Sequence, residues 1–132
     1  MTNVQAPMTK NVPKTQYPKR KAFDLCERTE RFGEAVIGFA KGLPVTSITK
    51  PLIEQLIRAG TSVGANYCEA DDASTKKEFI YKLSICLREV KEFSFWLKMI
   101  IKAVPSETVG DLIREAQELR LIFSSIINNS KR

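Results

Sequence analysis

Small and hydroxylated side chains crowd one segment of the chain, "IRAGTSVGANYCEA" at residues 57–70. Loops that hold phosphate through backbone N–H groups have such a composition, but they need the spacing GxxxxGK[ST] and a preceding strand. "GTSVGAN" lacks the lysine, and it follows no strand-like pattern. The segment therefore does not predict a nucleotide site.

Other residues in or near this segment also lack the partners that a catalytic or metal site would need. Ser62 has no lysine on its helical face to act as a base. Glu69, Asp71 and Asp72 offer oxygen ligands, but no matching carboxylate pair occurs elsewhere, so a solvated turn is the preferred interpretation. The chain has no histidine, the commonest general base and metal ligand. We predict no enzymatic activity, no metal and no cofactor.

The three cysteines, Cys26, Cys68 and Cys86, form no CxxC pair. Each lies among apolar neighbours in a helical pattern, so we interpret them as small buried side chains in a reducing cytosol. No run reaches the roughly 18 uninterrupted apolar residues of a membrane span, and no apolar segment of a signal peptide follows the first lysines. We expect a cytoplasmic protein that makes no membrane contact.

The net charge of +6 is unevenly distributed along the chain. Residues 1–22 contain no acid and five cations, namely Lys10, Lys14, Lys19, Arg20 and Lys21. With three prolines and little to bury, this leader is predicted to be disordered. A solubilising tail and an arm for a polyanion are equally weighted interpretations. Residues 23–132 have 16 basic and 15 acidic side chains, a difference of +1.

From residue 23 onward, apolar side chains recur with helical rather than strand periodicity. We place helices at about residues 24–43, 51–70, 75–104 and 107–128. Pro51 suits a first turn behind a cap at Thr49 or Lys50, and Thr75 with Glu78 has the spacing of a capping box. The short connections predict one all-α domain over residues 23–130, an up-down-up-down antiparallel four-helix bundle.

Each predicted helix has an apolar seam that would face the core. The seams of the first, third and fourth helices are Leu25, Thr29, Phe32, Val36, Phe39 and Leu43; Phe79, Leu83, Cys86, Val90, Phe93, Leu97, Ile100 and Val104; and Val109, Leu112, Ala116, Leu119, Phe123 and Ile126. Further apolar residues lie off these seams: Ile37, Ile80, Ile85, Leu87, Trp96, Met99 and Ile101. Because exposed apolar patches mark interfaces, we predict self-association.

The second helix has two unusual stripes that explain its composition. Gly60, Gly64 and Cys68 recur every four residues, and such a line of small side chains lets another helix approach closely. A polar stripe comprises Gln55, Ala59, Ser62, Asn66 and Glu69, with Arg58 one turn before Ser62. We favour a satisfied polar network, with Arg58, Ser84, Arg88 and Glu89 as candidate partners, over a ligand site.

The same stretch resembles a bacterial four-helix-bundle family first met as proteins encoded in intervening sequences of large-subunit ribosomal RNA genes. The matching residues are Gln55, Arg58, Ala59, Ser62, Asn66, Glu69, Lys77, Glu78, Phe79, Leu83, Glu89, Glu92, Trp96 and Leu97. The resemblance covers about residues 23–130 and leaves the leader outside. The chain departs from it at Ala70, Asp71 and Asp72, where many members have a glycine after the Asn-x-x-Glu motif.

This resemblance implies an up-down bundle that assembles into a homopentamer without enzymatic activity. A distant relative is the accessory subunit of the reverse transcriptase of diversity-generating retroelements, and it binds both that enzyme and nucleic acid. We therefore predict an oligomeric bundle that binds RNA or a ribonucleoprotein through cations of the leader and through Arg58, Arg88 and Lys91. The alternative is a protein–protein adaptor without nucleic-acid contact. No alternation of aromatic and basic residues of the RNA-recognition type appears.

Overall fold

Four α-helices account for most of residues 24–130, the part of the chain that the computed structural model describes. They are α1 (Leu25–Lys41), α2 (Thr49–Asp71), α3 (Lys76–Ala103) and α4 (Gly110–Ser130). No strand occurs among these residues. Helices adjacent in the chain pack on one another, and α4 returns to contact α1. The predicted all-α four-helix bundle is confirmed.

Side chains cap both α1 and α3 at their N-termini, and the cap of α3 is the one that the sequence predicts. Asp24 accepts a hydrogen bond from the Glu27 N–H at 3.2 Å. Thr75 accepts one from the Glu78 N–H at 3.0 Å, and this confirms the predicted N-cap of α3. The Glu78 carboxylate returns to the Ser74 N–H at 3.2 Å rather than to Thr75, so the capping box closes one residue early.

The predicted start of α2 is wrong by two residues. The helix begins at Thr49, and neither Thr49 nor Lys50 caps it. The hydroxyl of Thr49 is buried and donates to the Pro44 carbonyl at 2.6 Å. Thr46 supplies the N-terminal acceptor instead, because its hydroxyl receives the N–H groups of Ile48 and Thr49 at 3.1 Å each.

Two other helix boundaries also differ from the predicted ones. The first helix stops at Lys41, because the Gly42 N–H bonds the Phe39 carbonyl at 3.1 Å and tightens the last turn. The fourth begins at Gly110, several residues after Ser106. A turn intervenes in which the Thr108 N–H bonds the Ser106 hydroxyl at 3.3 Å.

Most of the predicted seam residues form the core. Phe32 of α1 meets Phe93 of α3 edge-to-face at 4.9 Å, and Tyr67 of α2 stacks on Phe123 of α4 at 6.3 Å. Five predicted seam members near the bundle ends are half-buried instead: Phe39, Leu43, Phe79, Val104 and Ile126. At the open α1–α4 side, Arg28 binds both carboxylate oxygens of Glu115 at 2.7 and 2.8 Å.

The expected apolar patches on α3 are largely covered by the bundle itself. Ile80, Ile85, Leu87, Trp96, Met99 and Ile101 are half-buried, so they form no open patch. Ile37 of α1 is exposed as predicted. The other large apolar side chains exposed on the described part of the chain are Val45, Ile48, Tyr81, Phe95, Ile113 and Leu121.

The small-residue stripe of α2 packs against α1, as predicted. A Cβ at Gly60 would lie 2.8 Å from Val36 Cγ2, and one at Gly64 would lie 3.2 Å from the Thr29 carbonyl oxygen. The third member of the stripe, Cys68, is exposed, whereas Cys86 is buried and Cys26 half-buried. Burial of all three cysteines was therefore a wrong expectation. None of the four described helices combines the length and the hydropathy that a membrane span requires.

Candidate nucleic-acid interface

Arg58 is the centre of a polar cluster between α2 and α3. Its Nε donates to Gln55 Oε1 at 3.0 Å, and its Nη1 and Nη2 lie 3.1 and 2.9 Å from carboxylate oxygens of Glu89 and Glu92. The Glu89 side chain is only 10% exposed. Trp96 Nε1 donates to Glu92 Oε2 at 3.4 Å. Two carboxylates thus neutralise Arg58 and join the two helices.

This cluster shifts the protonation of its members in the direction expected for an ion pair. The hydrogen bond from Arg58 lowers the pKa of Glu92 below its ordinary value. The bond with Glu92 also raises the pKa of Arg58. Both groups are held in their charged forms, so the cluster acts as a structural link rather than as an acid–base pair.

Two further members of the polar stripe on α2, Asn66 and Glu69, have side-chain partners within the bundle. Asn66 Nδ2 donates to the Ser62 carbonyl at 2.9 Å, within its own helix. Glu69 Oε1 lies 2.5 Å from Lys82 Nζ on α3. The hydroxyl of Ser84 donates to the Ile80 carbonyl at 2.9 Å and does not join the stripe. Of these three contacts, the Glu69–Lys82 ion pair links α2 to α3, and the other two lie within single helices.

The cations predicted to contact nucleic acid differ in whether carboxylates of the bundle already bind them. Arg58 is occupied by its two carboxylates. The Arg88 side chain is 69% exposed, and its closest carboxylate contact, to Glu89, is 3.9 Å long. Lys91 is exposed and forms no ion pair with another described residue. Lys10, Lys14, Lys19, Arg20 and Lys21 of the leader lie outside the described residues.

Positive charge in the described part of the chain is concentrated on one helix. Helix α3 has seven basic and three acidic residues, a difference of +4. The other described residues have seven basic and twelve acidic side chains, a difference of −5. Two of the three α3 acids, Glu89 and Glu92, bind Arg58. The third, Glu78, accepts a hydrogen bond from the Ser74 N–H, just before the helix begins. The acids of α3 therefore do not cover its lysines.

Thiol chemistry is suppressed at two of the three cysteines. Burial raises the pKa of Cys86 to about 12. Burial, together with a hydrogen bond with Cys68, raises the pKa of Cys26 to about 12. A raised pKa leaves little of the thiolate that is the reactive form. No group of three or more potential metal ligands occurs among the residues that the structure describes.

A shallow groove of about 300 Å³ runs along the outside of α1 and α2. Its floor is built from small and apolar residues, including Gly33, Ile37, Gly64 and Ala65. Two exposed carboxylates, Glu30 and Glu34, also line it. The groove is thus apolar and acidic, unlike the basic surface of α3.

Comparison with known proteins gives one family. A sequence model described as 23S rRNA-intervening sequence protein matches residues 20–125. The chain is also similar to a crystal structure from Bacteroides thetaiotaomicron, a protein of unknown function from the S23 ribosomal protein family. The two are 29% identical with a TM-score of 0.70, over 77% of this chain and 96% of that one. No curated protein shows significant similarity to the chain.

Proposed function

The chain belongs to the 23S rRNA-intervening sequence protein family, and from this premise we propose that it is a non-enzymatic, oligomeric helical bundle that binds RNA through cationic side chains. The family name supports an RNA connection, since it refers to sequences that interrupt ribosomal RNA. Three free thiols favour a reducing compartment, so we assign the protein to the cytoplasm.

The observation that carries the RNA proposal is the charge separation within the bundle. Helix α3 has a net charge of +4, although the described residues together have a net charge of −1. Phosphates attract such a surface because binding releases their condensed counterions. Each end of the chain adds cations, five in the leader and two at Lys131 and Arg132. These terminal cations would add to the attraction of the chain for phosphates.

Self-association is supported by the apolar groove between α1 and α2. We assign its occupant to α4 of a second copy, where Ile113 and Leu121 are exposed beside Arg120. That pairing places apolar atoms against apolar atoms and a cation near Glu30 and Glu34. Two different surfaces then meet head to tail, an arrangement that closes into a ring when the rotation allows. The family resemblance implies five subunits.

A mobility-shift titration with a fragment of 23S ribosomal RNA tests the RNA proposal. The double variant Arg88→Gln/Lys91→Gln removes two exposed α3 cations, and Lys41→Gln on α1 is the charge-matched control for one of them. We expect the double variant to bind several-fold more weakly and the control to bind like the native chain. Failure of the native chain to shift RNA at low salt would refute the proposal. The protein–protein adaptor would then become the leading alternative.

A further inference from the structure

One face of α3 has a long stripe of exposed side chains. Its positions follow a spacing of four, three, four, three, four, three and four residues, which keeps side chains on one side of a helix. In order they are Lys77, Tyr81, Ser84, Arg88, Lys91, Phe95, Lys98 and Lys102, and all eight are exposed. We call this set the α3 stripe. It extends from Lys77 to Lys102, or about 37 Å at 1.5 Å per residue step.

The cations of the α3 stripe are available to a ligand. Lys77, Lys91, Lys98 and Lys102 form no ion pair with another described residue. Arg88 has one distant carboxylate contact and is mostly exposed. The stripe contains no acidic residue. Five positive charges therefore follow one line with no counter-charge among them.

Two aromatic rings interrupt this line of cations. Tyr81 is 62% exposed and Phe95 is 50% exposed. The Phe95 ring meets Trp96 edge-to-face at 5.0 Å, which helps to hold its orientation. The two stripe positions are 14 residues, or about 21 Å, apart along the helix. Neither ring belongs to the core, although each would bury a large apolar area if covered.

Aromatic rings alternating with cations are the recognition surface of single-stranded nucleic acid. Unpaired bases stack on the rings while the cations contact the backbone. A duplex hides the faces of its bases, so it would use the lysines and leave Tyr81 and Phe95 without a partner. The linear sequence shows no aromatic–basic alternation, but the helix face has one.

We propose that the α3 stripe binds single-stranded RNA, with bases stacked on Phe95 and Tyr81 and phosphates held by the intervening cations. This inference rests on the proposed RNA-binding function and adds the form of RNA and the residues that select it.

Fluorescence anisotropy with two labelled probes tests the assignment on the full-length protein. The probes are a 12-nucleotide oligouridine and a 12-base-pair RNA duplex. Phe95→Ala should weaken oligouridine binding about fivefold or more, since stacking on one ring contributes at least that factor. Duplex binding should change less than twofold. Phe95→Trp, which keeps a stacking ring, should retain oligouridine affinity, and Tyr81→Ala should behave like Phe95→Ala.

Matched controls separate stacking from charge and from loss of fold. Val45→Ala removes an exposed apolar side chain in the α1–α2 loop and should leave both affinities unchanged. Lys98→Gln should weaken the binding of both probes. It should also lower the magnitude of the slope of log affinity against log salt for oligouridine by about 0.7, whereas Lys41→Gln should change neither quantity. Circular dichroism melting of every variant verifies that the helices remain folded.

Three outcomes would overturn the assignment in distinguishable ways. If the native chain binds RNA but Phe95→Ala and Tyr81→Ala bind oligouridine normally, the stripe is not a stacking surface and the proposed function stands. If the native chain binds neither probe, the proposed function itself fails. If these variants change the molar mass measured by light scattering, the stripe is a contact between protein subunits.

Discussion

Glycine-to-alanine changes at Gly33 and Gly64 should have opposite effects on stability, although the chemical change is the same. Both glycines are buried in helices that pack together, α1 and α2. Alanine favours a helix interior by about 1 kcal/mol over glycine at either position. The difference between the two variants therefore measures the space available for one methyl group.

The two sites differ in what the added Cβ would meet. At Gly33 the nearest atoms are Thr61 Cα and Cγ2, both at 3.7 Å, an ordinary contact distance. At Gly64 the nearest atoms are the Thr29 carbonyl oxygen and carbon at 3.2 and 3.3 Å. This backbone belongs to a buried turn of α1 and cannot rotate away, so the helices must separate. Overpacking of this kind costs about 1–3 kcal/mol.

Gly33→Ala should therefore raise the free energy of unfolding by about 1 kcal/mol. Gly64→Ala should lower it by as much as about 2 kcal/mol, and Gly64→Leu should lower it further. For a chain of this size, 1 kcal/mol corresponds to a Tm change of about 3 to 6 °C. Thermal melting followed by circular dichroism would give these shifts. All variants are compared at one protein concentration, because assembly makes Tm concentration-dependent. A Tm for Gly64→Ala equal to or above that of Gly33→Ala would refute the close approach of α1 and α2.

Three further predictions concern the polar cluster, the thiols and the assembly. Glu92 has a lowered pKa, so its contribution to stability is present above the ordinary value of 4.5 and is lost as pH falls through the lowered one. The urea midpoint should therefore fall as the pH is brought below 4.5. Arg58→Gln should destabilise the native protein at pH 7 by about 1–3 kcal/mol and flatten this pH dependence, and an unchanged pH profile would contradict the pairing. Cys68, the exposed thiol, should react with Ellman's reagent well before Cys26 and Cys86, whereas two thiols reacting at one fast rate would oppose that order. Size exclusion with light scattering should give several times 14.9 kDa, and a monomer at every concentration would rule out assembly.

The bundle and its core follow from the sequence because burial of one helix face imposes a regular spacing. The α3 seam from Leu83 to Ile100 is buried throughout, and the small residues of α2 meet α1 as their spacing requires. Local sequence is also enough to predict the N-cap at Thr75, because the cap residue and the N–H group that it binds are neighbours in the chain. The same reasoning gives a wrong N-cap at Thr49, because the α1–α2 connection brings the Thr49 hydroxyl to the Pro44 carbonyl instead.

The charged surface was harder to predict, because the pairing of charges depends on neighbouring helices. The sequence predicts Arg58 both as part of a polar network on α2 and as a cation for RNA, and its contacts with Glu89 and Glu92 of α3 favour the first role. The same contact draws these acids away from the face that holds Lys91 and Phe95. The helical spacing of that face can be read from the sequence, but the removal of its counter-charges requires the packing of α2 on α3.

The salt dependence of RNA binding is the most direct test of cationic RNA recognition. Filter binding of a 23S ribosomal RNA fragment would be measured from low to high salt with the full chain and with a variant lacking residues 1–22. Each phosphate neutralised adds about 0.7 to 0.9 to the slope of log affinity against log salt. We predict a steep negative slope for the full chain, and a weaker affinity with a slope flattened by as much as about 3 or 4 for the truncated protein. RNA affinity that is absent at low salt, or that does not change with salt, would contradict the proposed function.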